Sequence, residues 1–260
     1  MDAVVMWGTN ARNAHPIFFH HVIKGIDNGA RSWTIDPRRT STAKCTDSWL
    51  GLNVGTDIGL ALGVAREIIA AGLTDDEFIR NATTGYEEFV AFVEPWTLEH
   101  TAEVTGVPAE AIRDLAHGYA TAPTAQICWT LGITEHHTGV DNVQSLCNLA
   151  LLTGHVGRWG SGLVPLRGQN NVQGGGDMGA LPNKLTGFQD VEDDEVRAKF
   201  EAAWNCEIPP KNGWNLTQMF EAMERDELKA VYVIGENPAD SEADVKHARA
   251  MLEKLDMLVV

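Results

Sequence analysis

The sequence predicts an α/β protein made of two doubly wound, mostly parallel lobes, and three features predict it. Short apolar runs ending in glycine or aspartate alternate with segments of helical periodicity, as in AVVMW, HPIFFHHVIKGIDNG and RSWTI. The segment VVMWGTNA near the start is echoed by VYVIGENPA near the end; each reads as strand, glycine, any residue, asparagine, small residue or proline, then helix. Between them lies a glycine-rich stretch, residues 154–187, which is too long for an ordinary connection. Two strand–turn–helix units on either side of one such stretch suggest two equivalent nucleotide-binding ends flanking a centre, in Rossmann-like lobes spanning residues 1–168 and 169–260.

Composition narrows the partners. With 260 residues and 44% hydrophobic content the chain can bury a sizeable core, and its mean hydropathy of -0.16 is that of a soluble globular protein. No apolar run approaches the roughly 18 residues of a membrane span. A net charge of -16 and a pI near 4.9 argue against nucleic acid or an anionic membrane as partner, and an anionic ligand would need local positive charge. Cys45, Cys128, Cys147 and Cys206 lie in separate segments without CxxC or Cys/His spacing, so buried thiols in a reducing, cytoplasmic setting are expected. The chain begins almost in a strand and stops on one, which reads as a segment of something longer.

The first strand, residues 3–7, ends at Gly8, and Phe18, Val22 and Ile26 set the next segment in a helix. The intervening turn, GTNARNA, has free backbone N–H groups and a helix dipole suited to a phosphate or ribose, although it lacks GxGxxG. His15, His20 and His21 have no carboxylate or cysteine at ligand spacing and read as helix-end and packing residues. RSWTI ends in Asp36, Pro37, Arg38 and Arg39. Either Asp36 receives a ribose hydroxyl while the arginines meet a phosphate, or Asp36 caps a turn and the arginines are solvated; the residues leave both open. After SWLGL, the GTD turn opens the helix IGLALGVAREIIAAG with Asp57 as its N-cap.

Residues 74–122 read as helical throughout and carry no evident chemistry. The strand QICWTLGI follows, putting Thr134, Glu135, His136 and His137 at its carboxyl end, with too few ligands for zinc; no metal ligand is predicted in the chain. After the helix DNVQSLCNLALLTGHV comes the glycine-rich stretch, expected to be neither helix nor strand. Its amides, Gln169, Asn170, Asn171 and Gln173, surround one basic residue, Arg167, whose planar fork suits a carboxylate or phosphate; the alternative is a surface loop whose glycines serve turns. An acidic helix, a linker PPKNGW, the helix NLTQMFEAMERDEL and a closing βαβ unit complete the chain.

Five segments, WGTNARNAHP, IDPRRT, GTDIGLALG, LLTGHVGRWGSGLVPLRGQNNVQGGGDMGALP and IGENPADSEAD, together resemble the large catalytic subunit of molybdopterin-dependent formate dehydrogenases over essentially all 260 residues. LRGQNNVQG followed by DMGALP is the most specific piece. The resemblance implies a fold of the formate dehydrogenase and DMSO reductase type, with molybdenum or tungsten held between two molybdopterin guanine dinucleotides. It implies that Gly8, Asn10, Asn13, Asp36, Pro37, Arg38, Gly55 and Asp57 hold one guanine dinucleotide, and Gly235, Glu236 and Ser241 the other. Glu135 and Gln169 would contact the pterin and Arg167 would face formate, which is oxidised to CO2 or formed from it. Electrons would leave through an iron–sulfur cluster upstream to an electron-transfer partner. The metal-ligating cysteine or selenocysteine is also expected upstream, so these residues alone should be inactive. Ala11 stands where proline is usual, Asn13 where aspartate is common, and Glu135 where glutamine can occur. A nitrate reductase of the same superfamily and a cofactor-free relative such as the complex I homologue are the rival readings; the block of arginine and amides favours formate.

Overall fold

Every side chain of β1 (Ala3–Trp7) is buried, which a strand achieves only when both faces of its sheet are covered. The computed structural model describes residues 1–260, which divide into two compact units, Met1–Gly168 and Gln169–Val260. In the first, β1 leads through α1 (Ala11–Ala14) and α2 (Pro16–Asp27) to β2 (Arg31–Ile35) and β3 (Ser48–Leu50). Then come α3 (Asp57–Ala70), α4 (Asp76–Ala82), α5 (Tyr86–Val93), α6 (Leu98–Thr105) and α7 (Ala109–Ala120). The unit ends with β4 (Ala125–Trp129), α8 (Leu131–Thr134), α9 (Gly139–Leu152) and β5 (Gly162–Pro165).

The five strands form one parallel sheet in the order β3-β2-β1-β4-β5. Alternation along the strands sorts the core. Val5, Trp7, Trp33, Ile35, Ile127 and Trp129 point into the larger cluster with Leu60, Val64 and Ile68 of α3, Leu115 of α7 and Leu146 and Leu149 of α9. Val4, Met6 and Cys128 point the other way, onto Phe19 and Val22 of α2. The helix after β1 and the helix after β4 therefore cover opposite faces, and the unit is doubly wound about a switch point between those two strands.

Three expectations change. The glycine-rich stretch is not free of regular structure: Leu163 and Val164 extend the sheet as β5 opposite Ile127 and Cys128, and α10 (Val172–Asp177) is helical. β5 is possible because LVP is apolar and lies at the edge, where Pro165 forfeits no interior ladder bond. In α10, Asn171 takes φ 57 and folds its amide over Gly174, where a Cβ would lie 2.3 Å from the Asn171 Oδ1. Next, β4 ends at Trp129, so Thr134 closes the short helix α8 and residues 135–137 follow that helix instead of the strand itself. Finally, Thr56 is the N-cap of α3, and Asp57 is its first helical residue, its carboxylate turned to the Trp7 indole.

In the second unit α10 is followed by the antiparallel pair β6 (Lys184–Leu185) and β7 (Gln189–Asp190), then α11 (Asp194–Trp204) and α12 (Leu216–Glu224). Asp193 caps α11 by accepting N–H bonds from Glu195 and Val196, and Asn215 with Gln218 forms a capping box on α12. β8 (Ala230–Tyr232), α13 (Pro238–Ser241), α14 (Val245–Glu253) and β9 (Met257–Val259) make a parallel βαβ unit, packed on a small core of Phe220, Met223, Ala248 and Leu252.

α3 is buried nearly all round, and its glycines let α6 approach: a Cβ at Gly63 would lie 2.2 Å from the Thr101 Oγ1, and Thr101 is fully buried. Gly63→Ala gains about 1 kcal/mol of helix propensity yet costs about 1–3 kcal/mol of overpacking, so a lower urea midpoint is expected, with an unchanged or raised midpoint arguing against the close contact.

His155, just after α9, is 1% exposed; its Nε2–H donates to the Tyr119 carbonyl at 3.0 Å, and its Nδ1 accepts from Arg158 at 2.9 Å. Burial, reinforced by the Arg158 charge, holds the imidazole neutral by lowering its pKa from 6.5. Because the unfolded chain takes up this proton first, the His155 contribution is complete above about pH 6.5 and is lost as pH falls through that value towards the lower folded one. In His155→Gln the loss of stability between about pH 7 and pH 5 should be smaller than in the parent chain, as read from denaturation curves.

Candidate functional site

The carboxyl edge of the first sheet gathers most of the predicted site residues, and their arrangement starts from backbone. Gly8 follows β1 with φ 59, and the Thr130 hydroxyl after β4 donates to the Gly8 carbonyl at 2.9 Å. A Cβ on Gly8 would lie 2.8 Å from the Gly132 carbonyl carbon, and a Cβ on Gly132 2.5 Å from the Gly8 oxygen. The strand ends meet at the switch point because neither residue has a side chain. Beside them Thr9 is 1% exposed and its Oγ1 has no hydrogen-bond partner.

The turn after β1 is fastened to the turn after β2. The Asn10 Oδ1 accepts from the Ser41 hydroxyl at 2.9 Å, the Thr42 hydroxyl at 3.1 Å and the Thr42 N–H at 3.3 Å. Ser41 also donates to the Asn13 Oδ1, and the Arg12 N–H donates to the Thr42 hydroxyl at 3.0 Å. Ser41 and Thr42 were not among the expected residues; the polar run TSTAKCTDS after IDPRR is their only trace in the sequence.

Asp36 directly follows β2, beside β1. Its Oδ1 accepts the Arg38 N–H at 2.8 Å, which makes it a turn cap, and it has no ion-pair partner, so its remaining oxygen keeps the ribose reading open. Pro37 and Arg38 are exposed, and Arg39 lies over the Trp49 ring at 5.9 Å. Gly55, at φ 83, is exposed, and a Cβ added there would meet no atom within 4 Å. The Asp57 Oδ1 accepts from the Trp7 Nε1 at 2.8 Å; burial raises its pKa above 3.8 despite that bond, and the Asp36 charge adds to the rise.

Glu135 is exposed after α8, and its side chain has no partner. His136 donates from Nε2 to the Gly132 carbonyl at 3.0 Å. No group of three or more His, Cys, Asp or Glu side chains is spaced to hold a metal ion, and all four cysteines are free. Arg167 stands two residues beyond β5, its guanidinium exposed and without an ion pair. Its carbonyl accepts from the His15 Nε2 at 2.6 Å. In the second unit Gln169 is exposed. There Gly235 takes φ 67 after β8, and the Glu236 carboxylate accepts from the Asn237 N–H at 3.0 Å and the Ser241 hydroxyl at 2.9 Å. Those two bonds, the backbone one foremost, lower the Glu236 pKa.

A parallel doubly wound sheet with a glycine contact at its switch point and polar turns along its carboxyl edge defines an open α/β protein, the class in which ligands bind at that edge. Residues 1–260 match the family Molybdopterin oxidoreductase, and the chain belongs to that family. The alpha subunit of F420-dependent formate dehydrogenase 2 from Methanococcus maripaludis is 42% identical over 260 residues, all of this chain and 38% of the relative. Formate dehydrogenase H from Escherichia coli is 39% identical over 260 residues, all of this chain and 36% of the relative. The chain thus spans less than two fifths of the length of these curated relatives. In fold it is similar to acetylene hydratase from Pelobacter acetylenicus, with a TM-score of 0.71 and 23% identity over 99% of this chain and 38% of that one.

The family carries a molybdopterin cofactor, and the first unit's edge fits its polar, anionic chemistry: Thr9 leaves a buried hydroxyl without a partner, and Arg12, Arg38 and Arg39 have no carboxylate partner in an acidic chain. Asn10→Ala removes the acceptor of three donors, two of them on fully buried Thr42, and should lower folding stability by about 1–3 kcal/mol; Asn10→Asp keeps an acceptor and should lose less. Equal denaturation midpoints for Asn10→Ala and the parent would show that this fastening contributes nothing.

Proposed function

We propose that this chain is part of the large subunit of a formate dehydrogenase, with residues 1–168 holding one molybdopterin guanine dinucleotide and residues 169–260 contributing to the site of the other. The observation that carries the reading is Arg167: an exposed, unpaired guanidinium at the carboxyl edge of the sheet, in a chain of net charge -16, opening the run RGQNNVQG. The relatives named as formate dehydrogenases, aligned over all of this chain, support it.

On this reading Gly8, Asn10, Asn13, Asp36, Pro37, Arg38, Gly55 and Asp57 hold one guanine dinucleotide, Gly235, Glu236 and Ser241 serve the other, and Glu135 and Gln169 contact the pterin. When bound, the molybdenum or tungsten cofactor would supply the two-electron acceptor, and an iron–sulfur cluster outside these residues would link it to a redox partner in a reducing, cytoplasmic setting. Arg167 does the work of orientation. A guanidinium fork paired with both oxygens of formate fixes the carboxylate plane, and the C–H bond then points directly away from the arginine, because carbon's third substituent lies opposite its two oxygens. The same charge favours product release: formate is an anion and CO2 is neutral, so the arginine's hold is gone once the substrate is oxidised.

Purified full-length protein should contain molybdenum or tungsten and two pterins, and should reduce a viologen dye with formate but not oxidise it with nitrate. A charge-assisted hydrogen bond is worth about 1.5–3 kcal/mol, so Arg167→Lys, which keeps the charge but loses the fork, should lower kcat/KM for formate about ten- to a hundredfold. Arg167→Ala should lose more, and metal content should stay at the parent level in both. Unchanged formate kinetics in Arg167→Ala would remove the substrate role; loss of metal along with activity would make Arg167 a residue that pins the cofactor cradle.

A further inference from the structure

We propose that His15 is a positioning residue for Arg167, an inference that rests on the formate reading above. A carbonyl oxygen can only accept, so the 2.6 Å contact to the Arg167 oxygen requires the hydrogen on the His15 Nε2. The other ring nitrogen, Nδ1, is buried and has no partner. No second hydrogen bond competes for the ring.

The backbone around Arg167 explains why such a bond matters. β5 ends at Pro165, and the Leu166 N–H, bonded to the Trp129 oxygen at 2.9 Å, is the last attachment to the sheet. Gly168 follows, with no side chain and nothing within 4 Å of where a Cβ would stand. The arginine therefore sits between a sheet bond on one side and a residue without packing on the other, and the His15 bond supplies the second anchor. With both in place the peptide is held across the Cα that carries the guanidinium; with one, rotation about the Arg167 backbone would swing that long side chain through several ångströms.

His15 itself is well placed to hold a fixed point. It is at once the C-cap of α1, with its N–H on the Ala11 oxygen at 2.8 Å, and the N-cap of α2, with Pro16 next in the chain. Asn10 and Asn13, fastened to the turn after β2, belong to the same short segment. The imidazole thus ties the residue that would meet the substrate to the turn that would meet the nucleotide, and the substrate fork is set from the nucleotide turn as well as from its own strand.

Full-length holoprotein decides the matter with His15→Leu, His15→Gln, Arg167→Ala and the double variant His15→Leu/Arg167→Ala. His15→Leu should lower kcat/KM for formate about tenfold, mostly through KM, with metal and pterin content unchanged. Glutamine, whose amide N–H reaches about as far as the imidazole Nε2–H, should restore the parent value to within about threefold. In the Arg167→Ala background the leucine change should cost less than about twofold, because a residue that acts through Arg167 has nothing left to position. Independently of turnover, amide exchange at Leu166, whose N–H is bonded to the Trp129 oxygen, should quicken in His15→Leu and return in His15→Gln. Costs that multiply in the double variant, loss of cofactor from His15→Leu, or unchanged exchange would each overturn the proposal. Should the leucine variant not accumulate, His15→Asn, too short to reach the carbonyl, is the second loss variant. If the parent protein does not oxidise formate the reading above fails, while the exchange comparison still decides whether His15 holds Arg167.

Discussion

The first unit's carboxyl edge depends on one contact, the approach of the Gly8 and Gly132 backbones at the ends of β1 and β4. In a doubly wound sheet the helices that leave neighbouring strands at the switch point turn to opposite faces, which opens a crevice above the strand ends. Here α2 and α9 diverge in that way, and the two glycines, with the Thr130 hydroxyl on the Gly8 carbonyl, hold the strand ends together beneath it. A side chain at either position would have to occupy space that backbone atoms already fill. The polar turns are then fastened above this point, Asn10 and Asn13 to Ser41 and Thr42, so their geometry is inherited from the sheet and not from flexible loops.

Charge adds a second constraint. The chain carries 36 acidic and 20 basic residues, a balance in which an exposed arginine finds a carboxylate easily. Arg31, Arg113, Arg197, Arg225 and Arg249 all do. Arg66, Arg80 and Arg158 do not, and neither do Arg12, Arg38, Arg39 and Arg167, which stand near the carboxyl ends of the strands, where a local positive field would suit an anionic ligand. Asp36 and Asp57, at the same edge, are largely buried and engaged by the Arg38 N–H and the Trp7 indole.

The second unit repeats the strand, glycine, asparagine and helix pattern on a lighter frame. Its parallel pair, β8 and β9, has only a small core beneath it, and Tyr232, Met257, Leu258 and Val259 remain exposed. The turn is nevertheless ordered from within: the Glu236 carboxylate caps the Asn237 N–H and the Ser241 hydroxyl, and Asn237 donates to Asp240 at 2.9 Å. The echo in sequence is thus an echo in local conformation, with Gly8 and Gly235 both in the left-handed region.

The sequence by itself determined what repeats along the chain. Apolar runs and helical spacing were enough for the parallel α/β class, for Asp36 at the end of the strand beside β1, and for the two glycine turns at strand ends, because backbone hydrogen bonding and side-chain alternation are local rules. Short motifs were enough for the family, since LRGQNNVQG and the two glycine turns are each contiguous in the chain. Tertiary structure decided what depends on distant partners. Glycines that discouraged a helix at α10 are accommodated by the Asn171 side chain, and a stretch that looked like loop became β5 only because β4 offered it an edge. Asp57 was turned from a cap to the Trp7 indole, 50 residues away in the chain, and His15 met Arg167 across 152. No periodicity encodes such separations; they are settled by which strand ends the sheet brings side by side.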